Sequence, residues 1–392
     1  MTESFLHQEL GITRLPDGWR VSPLEELLEP KGLAIGVMYP GAHDPEGVPI
    51  VRVKNMLNGG INQEDVLRVS EEVEAKHLGA RLRGGEVLLS LVGSVGRVAI
   101  APEWMSGWNT ARAVAVMRVA KGVSNVWVKT WLTSDAAQHY IQSRLNTTVQ
   151  ATLNLRDVRK IPVVLPPRGD LLAIVGLLGA LEDKIALNGR ISDTSLELAR
   201  AAYSNAISVN GEIAELGSCV SLKYGKALRE PDRRPGEVPV FGCTGQVGWH
   251  DSALTPHKGA VVGRKGANAG WVSWSPRPCW VIDTAFFVDI TRLDLSSEVV
   301  FLFLETANLP SLVGDSAVPG LNRDAAHAKV VRVPTREAAR ELSERVSPLM
   351  LRSTQTQYES RALAALRDTL LPQLMSGKLR VRDAEKIVED AV

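Results

Sequence analysis

The sequence predicts an α+β fold: two mixed α/β domains separated by two long helices, which pack as an antiparallel coiled coil, with a pseudo-twofold relation from internal duplication. Three observations predict this fold. A motif occurs twice, two features that precede it recur in the same order, and a long helical segment follows each copy. A chain of 392 residues is also longer than one ordinary hydrophobic core supports, so more than one domain is expected.

The repeated motif reads LNLRDVRKIPVVLPP from residue 153 and LNRDAAHAKVVRVPT from residue 321. Each copy has Leu-Asn, then an Arg-Asp pair, then a β-branched run that ends in proline or Pro-Thr. The upstream features are VPIVRVKN at 48 and GEVLLSLVGSVGRVAI at 85, which match VPVFGCTG at 238 and GAVVGRKGANAGWVSW at 259. Matched features in one order over so long a period indicate duplicated domains rather than a solenoid.

The segments 171–208 and 335–371 carry apolar residues at three- and four-residue spacing, which predicts helices. Thr335 suits a helix start, and Pro348 is predicted to interrupt the second helix. In the β-branched runs 86–100 and 260–273, glycines indicate strands joined by tight turns. The residues predicted to form the helical seam are Leu178, Leu181 and Ile185 in the first helix and Leu342, Val346 and Leu349 in the second.

A continuous helix of about 37 residues is about 55 Å long and needs a partner, which the other copy supplies. Asn188 and Ser353 are predicted to fix the register of this pair. Antiparallel pairing would place the two mixed domains at opposite ends of the pair, which suits a ligand with its own dyad, such as duplex DNA. The alternative is that each helix caps only its own domain.

Composition indicates a folded globular protein, with a net charge of +1 and 45% hydrophobic residues. The balance argues against wholesale electrostatic wrapping of nucleic acid but allows local basic patches. The chain has no apolar run near the ~20 residues that span a bilayer, and MTESFLHQEL lacks the pattern of a secretory signal. Cys219, Cys243 and Cys279 fit reduced thiols, so a cytoplasmic location is expected.

Over essentially its full length, the chain resembles the specificity (S) subunit of type I restriction-modification systems. The motifs that carry the resemblance are LPDGWRVSPLEELLEP at 15–30, LNLRDVRKIPVVLPP with the following LLAIVGLLGALEDKIALNGRI, LKYGKALRE at 222 and LLPQLMSGKLRV at 370. The resemblance implies target-recognition domain 1 at 1–169, conserved spacer helix 1 at 170–209, domain 2 at 210–334, spacer helix 2 at 335–375 and a tail at 376–392.

The family plan implies that each domain reads one half of a bipartite DNA target. The helices would set the spacing and dock two methyltransferase (M) subunits, which restriction (R) subunits join in phage defence. The chain itself would be non-catalytic and would bind no cofactor; S-adenosylmethionine, ATP and magnesium are expected on the partners. The sequence agrees, because it has neither an Asn/Asp-Pro-Pro-aromatic motif nor G-x-x-x-x-G-K-[ST].

Two other interpretations of single motifs are weaker. The glycine-rich GRKGANAG lacks the lysine-hydroxyl ending of a phosphate-binding loop. Cys243, His250, His257 and Cys279 lack the paired spacing of a zinc site, so no metal is predicted. A different functional class, a self-sufficient nuclease or other DNA-acting enzyme with duplicated DNA-binding domains, stays open as the alternative.

Candidate DNA-binding residues combine base-competent or cationic side chains with glycine-rich loops. In the first half the sequence lacks the Lys-Tyr-Gly-Lys cluster of the second. The candidates are Arg52, Lys54, Asn55, Ser94, Arg97, Asn109 and Arg112 in the first half, and Lys223, Tyr224, Lys226, Arg229, Thr244, Gln246, Arg264, Lys265 and Asn268 in the second.

Overall fold

The computed structural model describes residue 10 and residues 15–57, 59–146, 150–314 and 319–391. The segment 1–9, on which the absence of a secretory signal was judged, therefore lies outside the described residues. The chain divides into two compact units. Unit 1 comprises Met1–Asp183 with Leu363–Val392, and unit 2 comprises Lys184–Ala362.

Unit 1 contains a mixed domain of short strands and helices. The elements are β1 (Arg20–Pro23), β2 (Leu28–Ile35), β3 (Val48–Val51), β4 (Met56–Leu57), β5 (Gly60–Ile61), β6 (Leu67–Val69), α1 (Glu71–Ala75), β7 (Val87–Ser90), β8 (Val98–Ile100), β9 (Asn109–Thr110), β10 (Val114–Val119), α2 (Asn125–Leu132), α3 (Asp135–Ser143), α4 (Leu155–Arg159) and β11 (Pro162–Leu165). A four-stranded sheet has the order β2-β10-β7-β8, a three-stranded sheet has the order β6-β3-β9, and the pairs β1-β11 and β4-β5 complete the domain.

Unit 2 contains a second mixed domain. The elements after the first long helix, α5 (Arg168–Asn210), are β12 (Gly211–Glu215), α6 (Leu216–Cys219), β13 (Val220–Tyr224), β14 (Val238–Gly242), β15 (Gly245–His250), β16 (Gly259–Gly263), β17 (Val272–Ser275), β18 (Trp280–Val281), β19 (Ala285–Ile290), α7 (Ser297–Thr306), α8 (Arg323–His327) and β20 (Val330–Pro334). The sheets of this domain have the orders β13-β19-β16-β17, β15-β14-β18 and β12-β20.

The two mixed domains share one strand order. The sheet β2-β10-β7-β8 of unit 1 corresponds to β13-β19-β16-β17 of unit 2, and each domain also closes its first strand on its last. In the three-stranded sheets, β3 pairs parallel with β9 and β14 pairs parallel with β18. The repeated Leu-Asn motif has one structural role in both domains: the leucine is buried, the asparagine precedes a short helix, and a strand follows.

The two long helices are α5 and α9 (Arg336–Met375), and α10 (Val381–Ala391) follows them. Both predicted helices are therefore confirmed. Thr335 Oγ1 accepts a hydrogen bond from Ala338 N at 3.4 Å, as expected at a helix start. The predicted interruption at Pro348 is wrong, because α9 continues through it. The proline side chain is exposed, where water can satisfy the carbonyl left without a backbone partner.

Within unit 2, α5 and α9 pack antiparallel. Lys184 Nζ lies 3.1 Å from Glu359 Oε1, and the hydroxyl oxygens of Ser192 and Ser353 lie 2.9 Å apart. Because the later residue of α5 contacts the earlier residue of α9, the two helices run in opposite directions. This packing excludes the alternative of two helices that never meet. Gln357 Nε2 donates to Ser192 Oγ at 3.0 Å, which adds to a polar layer in the seam.

Asn188 belongs to the same polar layer and is buried. Lys184, through a hydrogen bond, lowers the pKa of the adjoining Glu359 carboxyl below its ordinary value, and Asn188 adds a smaller effect in the same direction. Among the described residues, neither atom of its amide reaches a partner with good hydrogen-bond geometry. A buried amide of this kind costs stability but can favour one register over its neighbours, and the register role of Asn188 and Ser353 stays a prediction.

Each unit has its own hydrophobic core. In unit 1, the indole N–H groups of Trp127 and Trp131 donate to the Val164 and Pro162 carbonyls at 2.8 and 2.7 Å, which fixes α2 on β11. In unit 2, Phe286 and Phe303 are buried in one cluster with Val346 of α9. The unit 1 cluster includes Ile174 and Leu370 of the long helices, so in each unit the mixed domain and its part of the helix pair form a single packed body.

No helix among the described residues is long and apolar enough to cross a membrane. Cys219 and Cys279 are buried, Cys243 is half-buried, and all three are free thiols. Burial raises the pKa of the Cys243 and Cys279 thiols, which makes them poor nucleophiles.

Candidate nucleic-acid interface

In unit 2, two arginines, one from a loop and one from a short helix, lie over one tyrosine. Tyr224 ends β13, Arg264 follows β16, and Arg323 begins α8. The guanidinium carbons of Arg264 and Arg323 lie 4.7 and 5.1 Å from the centre of the Tyr224 ring. Lys223 precedes Tyr224 in the sequence, Lys265 follows Arg264, and both lysines are exposed. These five residues are called the basic surface of unit 2.

Backbone hydrogen bonds hold the loop 264–270 in place. Arg264 N donates to Thr284 O at 2.8 Å, and Leu321 N donates to Arg264 O at 2.8 Å. Gly266 has φ +104°, a conformation that side-chain-bearing residues rarely adopt. The loop is therefore a fixed platform, which suits recognition of a rigid partner better than a mobile loop does.

The turn after β14 adjoins this loop. Cys243 N donates to Thr284 Oγ1 at 3.3 Å, and a Cβ on Gly266 would lie 3.7 Å from the Cys243 sulfur. Thr244, on the turn, and Gln246, at the start of β15, are exposed, whereas Asn268, in the loop, is half-buried. The structure thus brings three further predicted residues beside the basic surface of unit 2.

Lys226 and Arg229 are also exposed, on the segment that follows β13. Lys226 N donates to Val281 O at 2.9 Å, and Trp280 Nε1 donates to Lys226 O at 3.0 Å. These described bonds attach the segment to β18 rather than to the loop 264–270.

His327 attaches α8 to β13. Its Nε2 accepts a hydrogen bond from Leu222 N at 3.0 Å, which requires the neutral ring. Burial, with the nearby charge of Arg323, lowers the pKa of His327 below its ordinary value and so favours that neutral form. The histidine therefore positions Arg323 beside Tyr224 without adding charge to the surface.

Arg323 is a functional candidate that sequence reasoning missed. The signal was available in the repeated motif, where the first residue after Leu-Asn is leucine at 155 but arginine at 323. The two copies of the motif differ at this position, and the second copy places a cation there.

In unit 1, Arg97 connects two loops. Its Nη1 donates to the Val53 and Met56 carbonyls at 3.3 and 3.0 Å, although the side chain is exposed. Ser94 is exposed, and its carbonyl accepts a hydrogen bond from Ser90 Oγ at 2.6 Å. Arg97 therefore has a structural task as well as surface exposure.

Of the other cations in unit 1, Lys54 and Arg52 face Asp65. Lys54, in hydrogen-bond contact, holds the pKa of Asp65 below its ordinary value. Arg52 donates to the Asp65 carbonyl and is half-buried. Arg112 is exposed. Among the described residues, its side chain has no hydrogen bond or ion pair, in contrast to those of the other cations predicted in unit 1. The Arg112 guanidinium is therefore available to a ligand.

The structure places Asn55 and Asn109 in the interior of unit 1. Asn109 is 0% exposed, and its Nδ2 donates to Glu74 Oε1 at 2.8 Å and to His77 O at 3.1 Å. Asn55 Nδ2 donates to Glu64 O at 3.0 Å. Their amides hold the domain together, so we leave both out of the interface that we propose.

Glu74 predicts a pH dependence of stability. Arg81, through a hydrogen bond, and Asn109 lower the pKa of this buried carboxyl below its ordinary value of 4.5. Its contribution is therefore fully present above pH 4.5 and is lost as pH falls through the lower, folded pKa. At neutral pH, Glu74→Gln is expected to cost about 1–3 kcal/mol of unfolding free energy.

Urea denaturation at several pH values would check this. The difference between wild type and Glu74→Gln should shrink as pH falls below 4.5. A constant difference would contradict the assignment. The exposed Glu72→Gln, on the same helix, is the matched control and should show no comparable difference.

The seam residues predicted to bind partners are largely inside. Leu178, Leu181, Leu342 and Val346 are at most 3% exposed. Ile185 and Leu349 are half-buried. The buried four suit the spacer role rather than direct docking. Among the described residues, no group of three His, Cys, Asp or Glu side chains is placed to hold a metal.

The fold is shared with a specificity subunit of known structure. Over 92% of this chain and 97% of the other, it superposes on the type I restriction-modification S subunit from M. genitalium with a TM-score of 0.64 and 16% identity. The HsdS subunit from Thermoanaerobacter tengcongensis aligns over 93% of this chain and 98% of its own, with a TM-score of 0.36 and 15% identity.

A particular relative is the type I restriction enzyme EcoBI specificity subunit of Escherichia coli. It is 27% identical over 154 residues, which is 39% of this chain. The match spans about a third of that protein, 32% of its length. No protein-family model matches the chain. The resemblance to type I specificity subunits, predicted from the sequence motifs, is confirmed by these comparisons.

Proposed function

We propose that this chain is the DNA sequence-recognition subunit of a type I restriction-modification complex. The observation that carries the proposal is that one chain builds the same strand order twice, in a fold shared over most of its length with an S subunit. The shared order also supports the internal duplication that the repeated motifs predict. A duplicated reader suits a ligand that offers two similar sites along one axis, as duplex DNA does.

Each mixed domain would read one half of a bipartite target. The loops 91–96 and 264–270 occupy corresponding places, between β7 and β8 and between β16 and β17, yet they carry different side chains. A common scaffold with different loops supports two readers of different sequences. In unit 2 the reader would be the basic surface with Thr244, Gln246 and Asn268. In unit 1 it would be Ser94, Arg97 and Arg112.

The cations would divide between phosphate and base contacts. Lysines such as Lys223, Lys226 and Lys265 are mobile point charges that suit phosphates, whereas arginine presents a planar fork that suits base edges. Lys54 and Arg52 already face Asp65, so a phosphate would have to compete with that carboxylate. The net charge of +1 makes this binding local rather than general.

The long helices would set the spacing and dock two methyltransferase subunits, which restriction subunits then join. Four leucines of α5 and α9 are more than 40% exposed, an uncommon position for so many apolar side chains: Leu172, Leu187, Leu198 and Leu351. The buried seam holds the helices together, and these outer leucines supply apolar contact for partners.

The chain would itself be non-catalytic, with S-adenosylmethionine, ATP and magnesium used by its partners. The alternative is a self-sufficient nuclease with duplicated DNA-binding domains. The direct experiment incubates the purified chain with duplex DNA, magnesium, ATP and S-adenosylmethionine. Neither cleavage nor methylation is expected from the chain alone. Either activity, surviving removal of contaminants, would favour the alternative.

Methylome sequencing of a host that carries the intact operon tests recognition. A methylated bipartite motif is expected, and deletion of the gene for this chain should abolish it while methyltransferase protein persists. An unchanged methylome after deletion would overturn the proposal.

A further inference from the structure

Tyr224, Arg264 and Arg323 form one stacked trio, called here the Arg-Tyr-Arg stack. Both guanidiniums lie within cation–π distance of the Tyr224 ring, and Arg264 also lies 5.9 Å from the Phe286 ring. Arg264 Nη1 donates to Asp283 O at 3.0 Å, and Arg323 Nε lies 3.4 Å from Asp324 Oδ1. Each guanidinium is therefore held in place while most of its five N–H donors stay uncommitted among the described residues.

Unit 1 has an equivalent place in its fold, which backbone hydrogen bonds identify. In each unit, one residue directly follows the third strand of the four-stranded sheet, which is β7 in unit 1 and β16 in unit 2. Its backbone N–H donates to the carbonyl of the residue just before β10 or β19, and its carbonyl accepts from the backbone N–H of the leucine in the Leu-Asn motif. These bonds run from Leu91 to Ala113 and from Leu153 to Leu91 in unit 1, and from Arg264 to Thr284 and from Leu321 to Arg264 in unit 2. Leu91 therefore corresponds to Arg264.

The other two members of the stack also have apolar counterparts. Arg323 is the first residue of α8 after the N-cap Asn322, and Leu155 is the first residue of α4 after Asn154. Tyr224 ends β13 and Ile35 ends β2, strands with the same place in their sheets. Unit 1 thus has Leu91, Leu155 and Ile35 packed on its hydrophobic core where unit 2 has the stack.

This difference indicates what the stack contacts. Phosphates have the same chemistry along any duplex, so a phosphate clamp built into a shared scaffold is expected in both domains. A group present in one domain and replaced by apolar side chains in the other fits a contact that one half-site needs and the other does not. The exposed carboxylate of Asp324, beside Arg323, also disfavours a phosphate at this place.

We propose that the Arg-Tyr-Arg stack selects guanine at one position of the half-site read by unit 2, and this rests on the proposed function above. Guanine presents two acceptors, O6 and N7, to the major groove, and an arginine fork matches both. The paired cytosine presents its N4 amino group, which a carboxylate such as Asp324 accepts. Tyr224 is the positioning residue, because its ring holds the guanidiniums before DNA arrives.

The test is selection from a duplex DNA library with a randomised central segment, using the full-length chain. Wild type is expected to enrich a sequence with an invariant guanine. Arg323→Lys and Tyr224→Leu should relax that position, with discrimination against other bases falling about 5- to 150-fold. Tyr224→Phe keeps the ring and should retain the wild-type choice. Melting temperatures identify any variant that fails to fold. Arg323→Lys and Tyr224→Phe are conservative changes that are expected to fold, so the test does not depend on Tyr224→Leu alone.

The matched control is Arg340→Lys, which changes an exposed arginine of α9 and should leave the profile unaltered. Equal loss of affinity for all sequences, with a weaker salt dependence, would mean a phosphate contact and overturn the inference. If Arg323→Lys and Tyr224→Leu selected guanine as strictly as wild type, the inference would also be overturned, while the proposed function would be unaffected. Enrichment of no sequence by wild type would overturn the proposed function and the inference with it.

Discussion

Val346→Asp is expected to unfold unit 2. Val346 is fully buried, in one cluster with Leu342 of α9 and Tyr203 of α5. The change removes apolar burial and places a carboxylate inside a buried hydrophobic cluster. Together these effects should cost about 3 kcal/mol or more of unfolding free energy. Circular dichroism with thermal melting would measure the loss of helix.

The matched control is Leu351→Asp, which lies on the same helix but has a side chain 57% exposed. Its melting temperature should stay within the range of ordinary surface changes. It should instead weaken methyltransferase binding, because a charge then enters the outer apolar surface. A stable Val346→Asp protein with normal binding would mean that the seam does not hold the helices.

The second large effect is a division of specificity between the two units. Arg264→Ala is expected to relax one half of the methylated motif, and Arg112→Ala the other half. A lost bidentate base contact costs about 1–3 kcal/mol, so methylation at sites with the wrong base should rise by roughly one to two orders of magnitude relative to the correct site. Arg112 is preferred to Arg97 in unit 1, because Arg97 also holds the Val53 and Met56 carbonyls.

Methylation-site profiling of the two variants, each assembled with wild-type partners, would check this. Lys226→Ala serves as a phosphate-type control and should weaken all sequences alike. If either arginine variant relaxed both halves, or if neither changed the motif, separate reading by the two units would be excluded.

The fold was largely predictable because its main signals are local. The three- and four-residue spacing of the seam identifies α5 and α9 wherever their partner lies, and the Leu-Asn motif identifies the end of each mixed domain by order alone. Pro348 was misjudged because the cost of an interior proline depends on whether the neighbouring carbonyl reaches water. Whether the carbonyl reaches water depends on which face of the helix is exposed, and packing of the opposite face against α5 determines that.

The candidate site was less predictable because it depends on contacts between distant residues. Asn109 is a reasonable base reader by residue type and loop position, but Glu74, 35 residues earlier, captures its amide inside the domain. Arg323 meets Tyr224 across 99 residues of chain, a distance that no local pattern reports. Local sequence therefore predicts candidate residues but cannot tell which of their side chains point outward.

The first and last strands of each mixed domain are paired, and this has a consequence for how such a chain changes over time. Arg20 faces Leu165 across β1 and β11, and Gly211 faces Pro334 across β12 and β20. The backbone thus enters and leaves each domain at neighbouring points, as in domains that tolerate transplantation. Crossovers near 211 and 334 would exchange the whole mixed domain as a cassette. Under the proposed function, such an exchange would change one half of the recognised target in one genetic event, without any adjustment of the long helices.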